Sequence, residues 1–421
     1  MHFSLAHLAI WTIAALAAAG VVFRPFRLPE AIWAVSGAVA LVLLGLLPGP
    51  AALMAVRRGG DVYLFLAGMM LLAEIARKEG LFDWLAVHAA RAAHGSPRRL
   101  FLLVYGIGIA VTAILSNDST AVVLTPAVYA AAKKARADPL PLLFACAMVA
   151  NAASFVFPIS NPANLVVFDG HLPPLADWLA RFALPSLLAI GATFLVLRLV
   201  YRRRLQGGCE AAPDKATLPR GGKIALAGIA LAAVVLLASS AFGVALGLPT
   251  ALCGFGSLAA IWIARRRFPA DVLRGIAWSI LPLVAGLFVL VAAVDRTALT
   301  GVLGASLQAA NAKSAIFAAS GSGALAAVAS NLINNLPAGL IASLTLAHAH
   351  VAPAVTDSIM LGVDLGPNLS VTGSLATILW LIAIRREGQN VSAWRFLKIG
   401  MLAMPVALLL ALGGRLLLPG F

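Results

Sequence analysis

Charge is scarce in this chain: Asp, Glu, Lys and Arg make up 11% of 421 residues, and only 16 of them are acidic. With 62% of the residues apolar, against roughly 45–50% in a soluble domain, this excludes an ordinary water-soluble globule. Cysteine is scarcer still. Cys146, Cys209 and Cys253 stand far apart and no CxxC occurs, so there is no thiolate cluster for a metal or metalloid. Gly221-Gly222-Lys223 lacks both the preceding glycine spacing and the following Ser or Thr of a phosphate-binding loop, so ATP hydrolysis by that route is excluded. Neither HExxH nor Gly-x-Ser-x-Gly is present, which weighs against an intramembrane enzyme. No catalytic residue, metal site or cofactor is expected.

Long apolar runs, such as Ala225 to Ala241 and Ala403 to Leu412, suit helices of about 20 residues crossing a hydrocarbon core of about 30 Å. The alternating pattern of a membrane barrel is missing, so the class is α-helical. The net charge of +15 sits in short loops between spans, which makes it a topology signal and no indication of nucleic acid. Arg202 to Arg204 and Arg265 to Arg267 read as anchors facing anionic lipid. Leu5 to Val22 lacks a basic segment before it and reads as a first span, not as a signal peptide.

Four polar breaks interrupt this background: Ser116-Asn117-Asp118-Ser119-Thr120, Ser160-Asn161-Pro162-Ala163-Asn164, Ser330-Asn331-Leu332-Ile333-Asn334-Asn335 and Asp364-Leu365-Gly366-Pro367-Asn368. Backbone in a bilayer must satisfy its own hydrogen bonds, so such breaks survive only where they line a protein-walled cavity. Paired breaks in two halves point to a transporter's substrate site. Asn117-Asp118 matches Asn334-Asn335 at an offset of 217, and Ala67-Gly68-Met69 matches Ala285-Gly286-Leu287 at 218. The chain therefore reads as a duplication, with repeats over 1–204 and 222–421 joined by a cytoplasmic linker over 205–221.

Charge also sets orientation. The first hairpin, about 100–132, is flanked by Arg91, Arg98, Arg99, Lys133, Lys134 and Arg136, the second, about 314–348, only by Arg296 and Lys313. The first then enters from the cytoplasm and the second from the opposite face. The expected fold is an all-α polytopic membrane protein of two inverted repeats, each with five transmembrane helices and one re-entrant hairpin. Its ten spans lie near 4–23, 28–48, 60–77, 138–170, 175–200, 222–243, 245–264, 275–295, 351–384 and 395–417, the fourth and ninth broken. With both termini outside, 25 of 31 Lys and Arg face the cytoplasm, the exceptions being Arg57, Arg58, Arg181, Arg296, Lys313 and Arg415. Twelve full spans is the competing arrangement. Gly80 to Ala93 and Thr297 to Ala310 are expected to lie along the interface or to pack as extramembrane helices.

Half-helix termini and released backbone groups at such breaks present partial charges to a ligand. The substrate-lining set is expected to be Asn117, Ser119, Ser160, Asn161, Asn164, Asn334, Asn335, Asn368 and Thr372, with Asn151 and Ser154 close by. Asp118 and Asp364 are the carboxylates placed to carry protons, since burial favours the neutral form of a carboxyl and brings its titration toward physiological pH. A helix N-cap is the alternative role for each. Glu74 beside Arg77 and Asp295 beside Arg296 read as interfacial pairs, and His348 and His350 as solvated loop residues.

The run Ser330 to Pro337, followed by Asp364 to Asn368 and Gly373-Ser374-Leu375-Ala376-Thr377, resembles the ArsB-type arsenite efflux transporters of the ion transporter superfamily. Asn117-Asp118 with Leu124-Thr125-Pro126, and Ser160-Asn161 before Asn164-Leu165, are similar to the same family. The resemblance extends over essentially the whole chain. It implies secondary efflux of arsenite and antimonite across the inner (plasma) membrane in exchange for protons, in some relatives with a cytosolic arsenite-stimulated ATPase docked. Some members carry an acidic residue near the position of Asn151; its absence here shifts weight to Asp118 and Asp364. The rival readings are a sodium/proton antiporter, which would favour more carboxylates, and a dicarboxylate or citrate carrier, which would favour basic groups; no Lys or Arg lies in the four breaks. A passive metalloid channel is the alternative of another class.

Overall fold

The computed structural model describes residues 4–169, 172–210 and 217–419, and among these there is no strand. The 205–221 linker falls partly outside the described residues. Among them, seven helices are long and apolar enough to cross a membrane, nine if each of two bent pairs is counted as one span. Leu5–Phe23, Glu30–Leu43 and Gly60–Lys78 open the first half; Arg220–Ala241, Gly247–Arg265 and Ile280–Asp295 open the second. The expected spans are present within a few residues, apart from the shorter Glu30–Leu43. Gly49–Arg58 is an additional helix, bent 46° from Gly60–Lys78.

Each hairpin forms as the breaks predict. Pro97–Ile114 runs inward, the chain unwinds at Leu115 and Ser116, and it returns through Asn117–Ser119, a wide π turn over Thr120–Leu124, and Thr125–Lys134. In the second half Ala315–Ile333 stops at Asn334, whose φ of 75° ends the helix, and Asn335–Ala347 returns. The broken spans follow as Pro139–Ala152 with Pro162–Val167, and Pro353–Leu365 with Leu375–Arg386. Leu175–Val200 and Ala393–Leu416 close the halves.

The amphipathic segments are helices Leu81–Ala92 and Leu299–Lys313. Each is entered through a left-handed residue at an equivalent place, Gly80 with φ 73° and Ala298 with φ 62°. The second turns 73° from the span before it, which suits a helix lying along the membrane surface.

The halves exchange partners. Gly60–Lys78 packs along Gly247–Arg265, and its counterpart Ile280–Asp295 packs along Glu30–Leu43. Pro162–Val167 packs on the returning arm of the second hairpin, and Leu375–Arg386 on the returning arm of the first. Reciprocal packing of this kind requires a two-fold relation between the repeats, and the charges make it an inversion. Arg77, Lys78, Lys133, Lys134, Arg202, Arg265 and Arg386 stand at or just past helix ends that this topology brings to one face, here termed the basic face. On the opposite face Arg415, 1% exposed, donates from Nε to Asp357 Oδ2 at 2.7 Å, with Arg181 3.6 Å from the other oxygen. The cation in the last span thus ties Leu175–Val200, Pro353–Leu365 and Ala393–Leu416 together inside the protein.

Without a hydrophobic drive between helices in lipid, close backbone approach carries the packing. Ala315–Ile333 and Pro353–Leu365 approach so closely that a Cβ on Gly323 would lie 2.7 Å from Ser358 O and one on Gly362 would collide with Gly323 O. Gly362→Ala is therefore expected to destabilise the protein by about 1–3 kcal/mol, the usual range for overpacking. A thermal midpoint in detergent equal to the parent's would contradict that contact.

Candidate functional site

The two broken spans meet at the centre through amides. Asn151 Nδ2 donates to Asn368 Oδ1 at 3.0 Å, and Asn368 Nδ2 donates to Met148 O at 3.0 Å. These asparagines are 217 residues apart, the offset of the duplication, so the pair sits on the axis relating the repeats. Asp364, fully buried, accepts from Ser154 Oγ at 2.7 Å and from Asn161 Nδ2 at 2.7 Å. Ser374 Oγ lies 3.5 Å from Asn151 Oδ1. Asp364, Asn368, Asn151, Ser154 and Asn161 therefore form one buried cross-repeat network.

Several expected site residues are instead occupied by the backbone that the breaks release. Asn161 Oδ1 caps its half-helix, accepting from Ala163 N at 3.0 Å. Asn164 Nδ2 donates to Ser154 O and Pro158 O, at 3.0 and 3.3 Å. Ser160 Oγ donates to Ala113 O at 3.0 Å, fastening the first hairpin to the fourth span. At the second tip, Thr372 Oγ1 donates to Asn331 O at 3.2 Å, Asn334 Nδ2 to Thr372 O at 3.5 Å, and Asn335 N to Gly373 O at 2.9 Å. That tip is knitted to the ninth span, and Ser370 Oγ closes it by donating to Asn331 Oδ1 at 2.6 Å.

The first tip is different. Asn117 turns inward, its Oδ1 accepting from Asp118 N at 2.9 Å, and Ser116 caps Ser119 N at 3.3 Å. The Asp118 side chain, with Ser116 and Ser119, lines a cavity of about 110 Å³ together with Glu74 and Pro162. Pro162 directly follows Asn161, a ligand of Asp364, so the chamber abuts the central network. Glu74, Val122, Val123, Gly275, Ala277 and Leu379 also line a second cavity of about 540 Å³, whose outer wall carries Arg77, Arg386 and Glu387 of the basic face. Chamber and vestibule thus share one wall.

The inverted repeat supplies an internal comparison. On the opposite face, equivalent positions enclose only about 70 Å³, among Arg58, Asp169, Asp295, Leu340 and Ser343. Asp169 corresponds to Glu387 and Asp295 to Arg77, both at an offset of 218. Arg58 Nε and Nη2 reach Asp169 Oδ1 and Oδ2 at 2.9 and 2.5 Å, spanning the mouth. The cavity on the basic face is thus the larger of the two, about 540 Å³ against about 70 Å³. An exposed ion pair contributes about 0.2–1 kcal/mol, so Arg58→Ala is expected to raise labelling of an introduced Ser343→Cys by an impermeant maleimide about two- to fivefold. The charge-reversed pair Arg58→Asp with Asp169→Arg should restore the parent rate; labelling unchanged by Arg58→Ala would remove the pair as a latch.

Sequence reasoning gave Glu74 a peripheral place. Glu74 is paired with Arg77, Nε to Oε2 at 2.7 Å, but it is 6% exposed and faces both cavities. Its signal was a carboxylate one turn inside a span. The Glu74–Arg77 pair thus forms as read, whereas Asp295 bonds Thr300 and lies 3.4 Å from His348 in place of Arg296. The wider grooves elsewhere, such as the 690 Å³ one between Arg220–Ala241 and Gly247–Arg265, are almost wholly apolar and face where lipid would lie.

A family model described as a citrate transporter (CitMHS) matches residues 10–361. The arsenical pump membrane protein of Escherichia coli (strain K12) is 28% identical over 360 residues, 80% of this chain and 82% of that one. The putative arsenical pump membrane protein of Bacillus subtilis (strain 168) is 26% identical over 421 residues, 93% of this chain and 95% of that one. Among solved structures, the Alcanivorax borkumensis YdaH transporter superposes with a TM-score of 0.54 at 16% identity, covering 87% of this chain and 86% of that one. This likeness carries the fold alone.

Proposed function

Because the chain belongs to the citrate transporter (CitMHS) family of multi-pass inner-membrane carriers, we propose that it is a secondary carrier exporting arsenite, and antimonite, from the cytoplasm in exchange for entering protons. The basic face is then cytoplasmic by the positive-inside rule, and the vestibule is open to the cytoplasm, where the solute is loaded. One observation carries the reading: Asp118, flanked by two serines, faces a small chamber that shares a wall with that vestibule. The chamber offers hydroxyls and carboxylates and no cationic side chain. A citrate trianion would meet Asp118 with like charge, while the one arginine at the chamber's edge, Arg77, is already taken up by Glu74. Uncharged arsenous acid, a small trihydroxy molecule, is both donor and acceptor and suits Ser116, Ser119 and a carboxylate. Names of relatives as arsenical pumps support the same choice over citrate.

Coupling follows from competition. A proton on Asp118 and a hydroxyl solute bound to its carboxylate are alternatives, and each must favour a different access state for exchange to occur. Asp364 is the second coupling group in this reading, joined to Asp118's chamber through Asn161 and Pro162. Arsenite uptake into everted vesicles with an imposed pH gradient, with sodium and citrate as competitors, tests the proposal. Proton-driven, saturable uptake insensitive to both competitors and to ATP is the expected result. Uptake unaffected by collapse of the gradient would overturn it in favour of a channel, and inhibition by sodium or citrate in favour of the other carriers.

A further inference from the structure

Asp118 is not in contact with the vestibule, so a proton bound there needs a way out. The six residues shared by chamber and vestibule are Glu74, Val122, Val123, Gly275, Ala277 and Leu379, and only Glu74 among them can carry a proton. We propose that Glu74 is the proton station at the neck between the Asp118 chamber and the basic-face vestibule, receiving the proton that Asp118 gives up and passing it to vestibule water. This rests on the exchange reading above and extends it to a residue outside the four breaks.

The neck is built around this carboxylate. Glu74 emerges from Gly60–Lys78 with its side chain 8% exposed, while Arg77, one turn on, is 40% exposed. Arg77 engages both oxygens of Glu74, a bidentate geometry that fixes the carboxylate's plane. Opposite stands Gly275, at the end of Ala270–Gly275, where any Cβ would collide with Glu74 Oε1. The charged groups around Glu74 are few. Arg77 comes from its own helix, Asp118 from the first hairpin across the chamber, and Asp83, Arg386 and Glu387 from across the vestibule. Asp271, on the same short helix as Gly275, is held by Arg265, which also binds Glu79. On the opposite side the residue equivalent to Glu74 is Ala292, which lines the smaller pocket.

The step is a simple relay. The O–H bond of protonated Asp118 breaks, and its proton crosses by water in the chamber, whose 110 Å³ has room for about three to four molecules at ~30 Å³ each. An O–H bond forms on Glu74 and then breaks toward vestibule water. Both carboxylates end deprotonated, and one hydronium appears on the basic face.

The test uses the full-length protein in liposomes with a pH-sensitive dye inside, comparing arsenite-linked proton movement with arsenite/arsenite exchange run without a gradient. Glu74→Gln is expected to cut proton movement about tenfold more than it cuts gradient-free exchange, and to flatten the pH profile of proton movement, tenfold corresponding to 1.4 kcal/mol. Glu74→His, which restores a titratable group at a different pH, should recover movement with a displaced profile and serves if the Gln variant folds poorly. A parental pH profile in both variants overturns the inference, as does equal loss of exchange and proton movement in a well-folded Gln variant, which would make Glu74 a substrate group. Asp118→Asn run in parallel separates the two claims. If it remains fully coupled, the exchange reading itself fails; if it is uncoupled and both Glu74 variants are parental, only the neck assignment fails.

Discussion

Asp118→Asn is expected to reduce pH-gradient-driven arsenite uptake in everted vesicles to the level of vesicles lacking the protein, with the thermal midpoint unchanged. The expected size of this effect follows from how little else Asp118 does. Among the described residues no side chain bonds its carboxylate; the neighbouring caps are made by Ser116 and by Asn117 Oδ1. An amide in its place leaves no protein partner unsatisfied, so the cost in stability is small, while the only titratable group of the first tip is gone. In the second repeat the equivalent position is already an amide, Asn335, and that tip holds its structure. A ligand or proton that binds two access states equally shifts neither, so a carrier without this carboxylate retains alternation but loses its drive. Uptake retained in Asp118→Asn, with the gradient still required, would move the coupling elsewhere.

Much of the fold was legible in the sequence because a bilayer leaves few solutions. Apolar length set the spans, and two matches at one offset set the repeat, which then reappears as Gly80 with Ala298 and as the Asn151–Asn368 pair. The helix Gly49–Arg58 was missed because its residues, ending in Arg57 and Arg58, lack the hydropathy of a span and form a short bent segment before Gly60–Lys78. The polar set was legible as a set and not residue by residue. Asn164, Ser160 and Thr372 serve backbone groups that unwinding exposes, a demand any break creates, and composition cannot separate that from binding a solute. Ser116 was left out of the expected lining set although it faces the chamber. Asp357 gave no local cue at all: its importance arises from Arg415, 58 residues on, and only a buried partner explains an arginine in the last span.

Asp364 poses the harder question, since it is both structural and a candidate for coupling, and two substitutions separate the roles. Asp364→Ala strands Asn161 Nδ2 in the interior, whereas Ser154 Oγ still has Asn151 O to donate to. A buried donor left without a partner costs about 1–3 kcal/mol and the truncated side chain leaves a cavity besides, in a fold whose whole stability is about 5–15 kcal/mol. The Ala variant is therefore expected to lose a large part of its thermal stability and to accumulate poorly. Asp364→Asn can be accommodated, and Ser154 is the reason. Its hydroxyl already lies 2.8 Å from Asn151 O, so it can donate there and accept from the new amide N–H, while the amide oxygen accepts from Asn161. The network stays satisfied and only the ionisable group disappears. If Asp364 is a coupling residue, the Asn variant folds with a midpoint near the parent's and loses the pH dependence of transport. A stable Asn variant with parental pH dependence assigns Asp364 to the joint between the repeats alone, leaving Asp118 as the carboxylate on which exchange depends.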